Sequence, residues 1–357
     1  MNILFVSADL PEELSTSNFL CKIPTEAINR AGRGKHQARM IFRDDWLASP
    51  IDNWPDLVVV ERLLISAINE RIKEYQAANK KVLARFDDNY ALMPAYIQSH
   101  WLWRRSIITG QKNGLAVGYK MQESMLNQFR EGLRICDAAS TPSRLLCQDY
   151  ERYAKKMYYI PNFPDLGNPA WTAPKPKHEG IIIGWGGGGT HLQSIRDSNV
   201  LTALQMICRE FDQVKVMICG NEPYAKEKLA EMLPGGRLIT QDWVPTEQWP
   251  YTVANFDIGL APLAGNYDDR RSWVKVLDYA ILGIPFVASD RPPYTDCHGG
   301  IKVKNKGKDW YRAIRTFIIR PSAVEMKVNA GRSWAWTTGI DSNVNHYFNV
   351  FEEILKG

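Results

Sequence analysis

The chain has 357 residues, of which 45% are hydrophobic and 23% are charged, and its formal net charge of +5 suits an anionic substrate or nucleic acid without demanding either. This length suits two α/β domains, and because no run of about 18 apolar residues occurs, we expect no membrane span. Six scattered cysteines without a CxxC pair, and six histidines without a metal-ligand spacing, predict a cytoplasmic protein with reduced thiols and no metal centre.

The first half of the chain alternates predicted strands with predicted helices. Short apolar runs bounded by turn residues indicate strands, and stretches with a period of about 3.6 residues indicate helices. Alternation of this kind predicts a parallel sheet covered by helices. The predicted strands are 2–7, 37–42, 57–60, 81–86, 138–140 and 158–160, and the predicted helices are 24–31, 65–78, 122–133 and 143–156.

A proline-rich segment, 164–178, interrupts this alternation and is typical of a linker. The alternation then restarts. The predicted strands are 181–185, 214–219, 238–240, 258–261 and 286–288, and the predicted helices are 200–211, 225–232, 247–254 and one that begins at Ser272. We therefore expect two doubly wound domains, 1–165 and 179–340, that face each other across a cleft. The last helix, 341–357, follows an irregular segment at 334–339 and is expected to pack back on the first domain.

The stretch 270–290 carries the strongest functional signal. Arg271, Lys275 and Asp278 have the spacing i, i+4, i+7, which places them on one face of the helix expected from Ser272 onward. A helix start carries unpaired N–H groups and a partial positive charge, so together with the two cations it can hold a diphosphate. The carboxylate can then accept hydrogen bonds from a ribose diol. The alternative is a solvated helix face with ion pairs worth roughly 0.3–0.5 kcal/mol each.

A run of glycines follows the strand predicted at 181–185. Gly186, Gly187 and Gly188 lead to His191, and because they lack side chains they allow a phosphate or a sugar to approach backbone N–H groups. The alternative is a flexible turn. The pattern is not a GxGxxG fingerprint followed at once by a helix, so a dinucleotide site is not expected.

A second loop, which follows the strand at 238–240, contains Trp243 and Val244. The indole suits either the wall of a pocket for a nucleotide base or the hydrophobic core, and the sequence leaves both interpretations open.

Two neighbouring carboxylates, Asp87 and Asp88, follow the strand predicted at 81–86. Because ligands bind at the carboxyl ends of strands in doubly wound sheets, these side chains are candidates to orient or deprotonate an acceptor. They are also the nearest approach to a Mg²⁺ motif in the chain. The alternative is a turn in which the two side chains accept hydrogen bonds from backbone N–H groups.

Two basic segments point to nucleic acid. In 100–106, Trp101 and Trp103 alternate with other residues ahead of Arg104 and Arg105, a combination that suits base stacking and phosphate contact. In the segment after residue 300, four lysines would form one basic stripe on a strand, although edge strands also use lysine to prevent aggregation. These lysines are Lys302, Lys304, Lys306 and Lys308.

Together these segments resemble a known family. The second half is similar to the nucleotide-binding half of GT-B glycosyltransferases, specifically the retaining group called family 4, in its glycine loop ending in TH and in the segments DWVP, FDIGLAPL and KVLDYAILGIPFVAS. The first half matches more loosely, in ICDAASTPSRLL and YYIPNFPD. The resemblance implies a GT-B fold and the transfer of a sugar from a nucleotide diphosphate to a hydroxyl, with retained anomeric configuration.

The resemblance also implies roles for single residues. It assigns donor ribose contact to Asp278, where the family usually has a glutamate, and phosphate contact to Arg271, Ser272 and Lys275. Fixed cations and a helix start can stabilise a leaving diphosphate without a metal. We therefore expect a nucleotide sugar as co-substrate, no tightly bound cofactor and no metal requirement.

The chain departs from the family pattern at two places. Arg270 occupies the position of the family's second glutamate, so that either Asp268 or Asp269 supplies the carboxylate or the role is absent. The N-terminal glycine pair of the family is replaced by a segment that contains Ser17 and Asn18, which we expect to contact the acceptor.

The acceptor itself stays open. Basic, aromatic-rich loops on the acceptor side resemble those of phage enzymes that glycosylate hydroxymethylated DNA bases, which makes double-stranded DNA the leading acceptor. A cell-surface glycan or a lipid is the alternative acceptor. The alternative functions are a GT-B module that binds a nucleotide or DNA without turnover, and an epimerase on the same scaffold.

Overall fold

The computed structural model describes residues 1–11, 14–97, 99–112, 115–120, 123–172, 174–220 and 222–357. Contacts between residues divide the chain into two units. The first unit comprises residues 1–165, 270–272 and 340–357, and the second comprises residues 166–269 and 273–339. Each unit is built around its own parallel sheet, as the alternation of strands and helices predicts.

The first unit contains a six-stranded parallel sheet and a separate antiparallel hairpin in the described part of the chain. Its strands are β1 (Asn2–Ser7), β2 (Gln37–Phe42), β3 (Leu57–Glu61), β4 (Lys81–Arg85), β5 (Ile107–Lys112), β6 (Leu115–Lys120), β7 (Ala138–Thr141) and β8 (Met157–Tyr159). The helices between them are α1 (Ile23–Gly32), α2 (Arg43–Ala48), α3 (Ser66–Ala77), α4 (His100–Trp103), α5 (Met125–Ile135) and α6 (Arg144–Tyr150). The sheet order is β2-β1-β3-β4-β7-β8, and β5 pairs with β6.

The second unit contains another six-stranded parallel sheet in the described part of the chain. Its strands are β9 (Ile181–Gly186), β10 (Val214–Cys219), β11 (Leu238–Gln241), β12 (Ile258–Ala261), β13 (Phe286–Ser289) and β14 (Gly300–Val303). Its helices are α7 (Leu192–Asp197), α8 (Val200–Glu210), α9 (Pro223–Met232), α10 (Trp249–Val253), α11 (Gly265–Asp268), α12 (Val274–Ile281), α13 (Gly307–Ile319) and α14 (Pro321–Thr337). The sheet order is β11-β10-β9-β12-β13-β14.

The last helix, α15 (Ile340–Lys356), belongs to the first unit. Its apolar stripe includes Tyr347 and Phe351, which share a core cluster with Ile3 and Phe5 of β1. A buried hydrogen bond of 3.0 Å joins the Arg85 guanidinium to the Tyr347 hydroxyl. The C-terminal helix therefore covers one face of the first sheet.

Helices cover both faces of the second sheet as well, and β10 shows this directly. Val216 and Ile218 belong to a core cluster with α8 and α13, whereas Met217 and Cys219 belong to a cluster with α12. Such strands read as near-continuous apolar runs because both of their faces are buried.

In both sheets the order of the strands reverses at a topological switch point, where ligands bind in doubly wound folds. In the first sheet, β1 lies between β2 and β3. In the second sheet, β9 lies between β10 and β12. The residues that follow β1, β3 and β4 in one unit, and β9 and β12 in the other, are therefore the first places to look for a site.

The structure differs from the sequence-based expectation in several elements. The hairpin of β5 and β6, and helices α13 and α14, were not predicted. The segment 334–339 was expected to be irregular, but α14 continues to Thr337 because Ala335 is buried and Trp334 packs edge-on against Trp273 at 5.9 Å. The helix expected over 143–156 ends at Tyr150 and continues as one 3-10 turn.

Candidate functional site

Helix α12 begins later than predicted. Its first residue is Val274, so that Arg271 and Ser272 precede the helix, and the expected single face shared with Lys275 and Asp278 is wrong. The Ser272 hydroxyl makes no cap bond; it accepts a long hydrogen bond of 3.5 Å from Asn162. The predicted helix end is confirmed.

That end depends on a glycine. Gly283 has a φ of +67°, and the N–H of Ile284 reaches back to the carbonyl of Tyr279 at 2.8 Å. A residue with a Cβ adopts this left-handed conformation at a cost, so glycine is the natural choice directly after the helix.

The glycine loop follows β9 at the switch point of the second unit. A Cβ at Gly186 would collide with the Trp249 ring, and a Cβ at Gly187 would lie 2.6 Å from the Trp185 ring. Beside Gly188, by contrast, no atom of the described residues lies within 4 Å of the place a Cβ would take. The first two glycines are therefore required by packing, whereas the third leaves backbone open to a ligand.

Lys275 lies at this loop. Its ammonium donates to the Gly186 carbonyl oxygen and lies 5.2 Å from the centre of the Trp185 ring. Two of the residues predicted to bind the donor, Gly186 and Lys275, are thus in direct contact. The cation is therefore held at the start of the glycine loop, two residues before the open Gly188.

Asp278 is one turn further along α12 and only 5% exposed. Its Oδ2 accepts a hydrogen bond of 2.9 Å from the indole N–H of Trp249. Burial raises the pKa of Asp278 to about 7, although the Trp249 N–H and the Lys275 charge both act to lower it. The site therefore contains a carboxyl that changes its charge near neutral pH.

Three further residues that were predicted to bind the donor lie in the loops after β9 and β11. His191 is half-buried, with its ring edge-on to Trp185 at 6.1 Å. Trp243 is 48% exposed, so the interpretation of this indole as a core residue is excluded. Val244 lines an open groove of about 420 Å³ beside α10.

Both acidic residues before Arg270 have partners within the second unit. Asp268 is buried and accepts hydrogen bonds from Ser194 at 2.5 Å and from the N–H of Ala264 at 2.8 Å. Asp269 forms a two-pronged ion pair with Arg291, at 2.7 and 2.8 Å. Both carboxylates hold the loop after β12 in place.

Arg270 also has a partner of its own. Within the first unit, its guanidinium contacts both carboxylate oxygens of Asp149, at 2.7 and 3.1 Å. Asp149 accepts a further hydrogen bond from Asn89 at 2.6 Å. At the position where the family has its second glutamate, this chain therefore has an arginine that forms an ion pair with Asp149.

A buried polar cluster, which the sequence analysis missed, lies at the switch point of the first unit. Glu61 ends β3 and accepts hydrogen bonds from the hydroxyl of Ser17 and from the N–H of Ala8. Arg62 pairs with Glu61 at 2.9 Å and also with Asp9. The rule that directed attention to Asp87 would have found these residues, because each of them also follows or ends a parallel strand.

In this cluster, burial and the charge of Arg62 act in opposite directions on the pKa values of the two carboxyls. Burial raises the pKa of Glu61, but the Arg62 guanidinium opposes the shift. Although burial acts in the same direction on Asp9, Arg62 and the N–H groups of Ser17 and Ser15 hold the pKa of that carboxyl below its usual range. Arg62 itself has the left-handed φ of 54°, a strained conformation that these ion pairs hold in place.

The prediction that Ser17 contacts the acceptor is not supported. The residue is fully buried, its hydroxyl donates to Glu61, and its oxygen accepts the N–H of Asp9 at 3.2 Å. Its neighbour Asn18 is half-buried. Ser17 therefore positions Glu61 rather than facing solvent.

Asp87 and Asp88 follow β4 in the same unit. Burial and the neighbouring Asp88 raise the pKa of Asp87 to about 7, against the charge of Arg62. The Oδ1 atom of Asp87 and the hydroxyl of Tyr90 are both buried without a hydrogen-bond partner among the described residues. Asp87 therefore does not cap a backbone N–H with that oxygen.

The segment 100–106 divides into buried and exposed residues. Trp103 is 4% exposed and stacks on Tyr90, with ring centres 3.8 Å apart, so the prediction that it stacks on a nucleic-acid base is wrong. Trp101 is 45% exposed, and Arg104 and Arg105 are exposed as well. Only these three residues remain available to an acceptor.

The predicted lysine stripe does not form. Strand β14 ends at Val303, so that Lys302 alone lies on it, and Lys308 already belongs to α13. The strand ends there because Asn305 donates to the carbonyl of Leu263 at 2.7 Å and accepts from Ser289 at 2.7 Å. A loop fixed by this asparagine replaces the alternating strand.

The described residues contain no group of three or more histidine, cysteine, aspartate or glutamate side chains arranged to hold a metal ion. In the same ranges, no helix has the length and the apolar character needed to cross a membrane.

The fold is similar to solved structures over nearly its whole length. The structure of Anabaena Alr3699/HepE in complex with UDP and glucose has a TM-score of 0.66 at 11% identity, with 99% of each chain covered. The lipopolysaccharide outer core galactosyltransferase WaaB, in its apo form, has a TM-score of 0.60 at 11% identity, with 99% of this chain and 100% of that chain covered. The UDP-GlcNAc 2-epimerase from Neisseria meningitidis, bound to UDP-GlcNAc, has a TM-score of 0.58 at 10% identity, with both chains fully covered.

No protein-family profile and no characterised protein sequence matches the chain. At identities near 10%, the likeness to solved structures concerns the fold and not the activity. The two parallel six-stranded sheets and the structural neighbours establish that this chain has the GT-B fold, as predicted from its sequence.

Proposed function

We propose that this protein is a glycosyltransferase that moves a sugar from a nucleotide diphosphate, with UDP as the leading nucleotide, to a hydroxyl acceptor. The observation that carries the proposal is the meeting of Gly186, Lys275 and Asp278 at the switch point of the second sheet. Open glycine backbone, a cation and a carboxyl are what a phosphate group next to a ribose requires. UDP or a UDP-sugar is bound in two of the structural neighbours.

In this proposal, the residues of the second unit stabilise the leaving group. The Lys275 ammonium and the N–H of Gly188 oppose the negative charge that develops on the diphosphate when the glycosidic bond breaks. Asp278 holds the ribose. Arg271 and Ser272, which belong to the first unit, stay proposed phosphate contacts. Because these charges are supplied by side chains, we expect activity to survive a metal chelator, and the family resemblance supports retention of the anomeric configuration.

The acceptor hydroxyl is assigned to the first unit. Asp87 has an unpartnered buried oxygen and Asp88 is its neighbour, so this pair is proposed to orient the hydroxyl or take its proton. Burial and the adjacent Asp88 raise the pKa of Asp87 to about 7, which suits a group that accepts a proton near neutral pH.

For the acceptor molecule, double-stranded DNA carrying a hydroxymethylated pyrimidine is one candidate and a surface glycan or lipid is the other. The exposed Trp101, Arg104 and Arg105 favour DNA, since an indole and two guanidiniums suit a base and its phosphates. Trp103 and the predicted lysine stripe no longer support a DNA acceptor, because Trp103 is buried and the stripe does not form.

The test is incubation of the purified protein with a panel of nucleotide sugars, each with hydroxymethylated duplex DNA or glycan acceptors, read by product mass. A mass gain of one sugar on an acceptor, with release of nucleoside diphosphate, supports the proposal. A donor that changes its sugar without any acceptor would indicate an epimerase, which shares this fold. Nucleotide binding without turnover of any donor would indicate a binding module.

A further inference from the structure

The proposed function gives a role to Asp278 but none to Trp249, whose indole is hydrogen-bonded to it. Trp249 begins α10, and its ring fills the space above Gly186. Its indole N–H points at Asp278 Oδ2 over 2.9 Å. One side chain thus shapes the glycine loop and contacts the buried carboxyl at the same time.

The surroundings of Asp278 make this neutral donor important. The titratable groups whose charges reach it or its neighbour Tyr279 are Lys275 on α12, Cys219 on β10 and Tyr294 after β13. Burial raises the pKa of the Cys219 thiol to about 12 and that of the Tyr279 phenol well above its usual value, so both are uncharged at neutral pH. The adjoining β9, β12, β13 and α10 carry no charged residue. Helix α14 also packs on α12 and carries Glu325, Lys327 and Arg332, but none of these charges shifts the pKa of Asp278.

The hydrogen bond from Trp249 uses Asp278 Oδ2, which leaves Oδ1 as the second acceptor atom of the carboxyl group. A carboxylate with one oxygen fixed in this way has a defined direction for a ligand hydroxyl at the other. An ionised acceptor also binds a hydroxyl about twice as strongly as a neutral one. Both the direction and the charge of this oxygen depend on what holds Oδ2.

We infer that Trp249 is a positioning residue for the donor site, whose indole N–H favours the charged form of Asp278 and orients it to accept from the ribose hydroxyls of the nucleotide. The inference rests on the proposed function for the ribose contact only. The coupling between the indole and the carboxyl exists without a ligand and can be measured without one.

The ligand-free arm compares the unfolding equilibrium of the wild type with that of Trp249→Phe between pH 6 and pH 9. The variant loses the donor that favours the ionised carboxyl, so we expect the ratio of the two unfolding constants to grow by about tenfold across this range. In an Asp278→Asn background the ratio stays constant. Trp336→Phe, at a residue that is 67% exposed, is the matched control and shows no pH-dependent ratio. If the ratio of the two unfolding constants does not change with pH when Asp278 is present, the inference is overturned.

The ligand arm uses UDP and 2′-deoxy-UDP, with affinities measured by calorimetry at pH 6, 7.5 and 9. The wild type gains preference for UDP as Asp278 ionises, and in Trp249→Phe this gain moves about one pH unit higher, so that UDP affinity at pH 7.5 falls by about threefold. Equal affinity for both nucleotides at every pH overturns the ribose contact. If the wild type binds neither nucleotide, the proposed function fails and the ribose contact with it, whereas the ligand-free arm still decides whether Trp249 controls Asp278.

Discussion

The two switch points of this protein solve the same problem with different partners. In the first unit, the buried Glu61 faces a guanidinium, Arg62, that also pairs with Asp9. In the second unit, the buried Asp278 accepts a hydrogen bond from an uncharged indole. Burial raises the pKa of both carboxyls, and the shift is opposed by a guanidinium at Glu61 but by an indole N–H and the Lys275 charge at Asp278. The comparison teaches that buried acids at equivalent places in two sheets can be stabilised by a paired cation or by a neutral donor.

The comparison can be broken most severely at Arg62. Arg62→Met leaves two buried carboxylates without a cation, and we expect the free energy of unfolding to fall by about 3–5 kcal/mol. The measurement is denaturant unfolding at pH 7. Arg134→Met removes an exposed pair with Glu131 and is the matched control, with an expected loss below about 1 kcal/mol. Equal losses in the two variants would show that the Arg62 cluster is not a buried network.

Lys275 sharpens the functional side of the comparison. Because its ammonium is proposed to oppose the charge of the leaving diphosphate, Lys275→Ala should lower kcat by roughly 10²–10³. Steady-state kinetics with the donor found in the panel provide the measurement. Lys228→Ala, at a cation paired with Glu231 on a surface helix, should keep wild-type rates. A Lys275→Ala enzyme with unchanged kcat would remove the lysine from the chemistry.

Asp278→Asn tests the protonation of the second switch point. A carboxyl whose pKa is raised from 3.8 to about 7 binds more protons in the folded state than in the unfolded state, so its contribution to stability is present below pH 3.8 and is lost as pH rises to about 7. The variant should therefore gain stability relative to the wild type across that window, by about 4 kcal/mol at most. Urea unfolding at pH 4, 5.5 and 8 checks this. A difference that does not vary with pH would mean that Asp278 is ionised throughout.

The smallest effect is expected on the surface of the first unit. Trp101→Ala should change the free energy of unfolding by less than about 0.5 kcal/mol, because the side chain is 45% exposed. If DNA is the acceptor, the same variant should lose about 1–3 kcal/mol of binding free energy to hydroxymethylated duplex DNA in a fluorescence titration. Unchanged DNA affinity, or none in the wild type, would favour a glycan or lipid acceptor.

Strands were predictable because their signals are local. The bounds of β1, β2, β10 and β12 agree with the sequence prediction, since each is an apolar or alternating run between turn residues. The switch-point rule also directed attention to the right loops. It was applied after β4 and β9 but not after β1 and β3, and so Asp9, Glu61 and Arg62 were missed.

The errors came from contacts between residues distant in the sequence. Serine is a common residue at a helix start, so Ser272 was predicted to begin α12. Instead, Trp273 packs on Trp334, and α12 begins at the next residue, Val274. The alternating lysines look like a strand, but Asn305 joins the ends of two neighbouring strands and stops β14 first. Spacing along the chain contains no information about such partners.

The most direct test of the central claim is a crystal structure of the protein with UDP. The account predicts diphosphate oxygens within hydrogen-bonding distance of Lys275 Nζ and the N–H of Gly188, and a ribose hydroxyl on Asp278 Oδ1. A UDP bound elsewhere, with Lys275 still on the Gly186 carbonyl and Asp278 touching only Trp249, would contradict it.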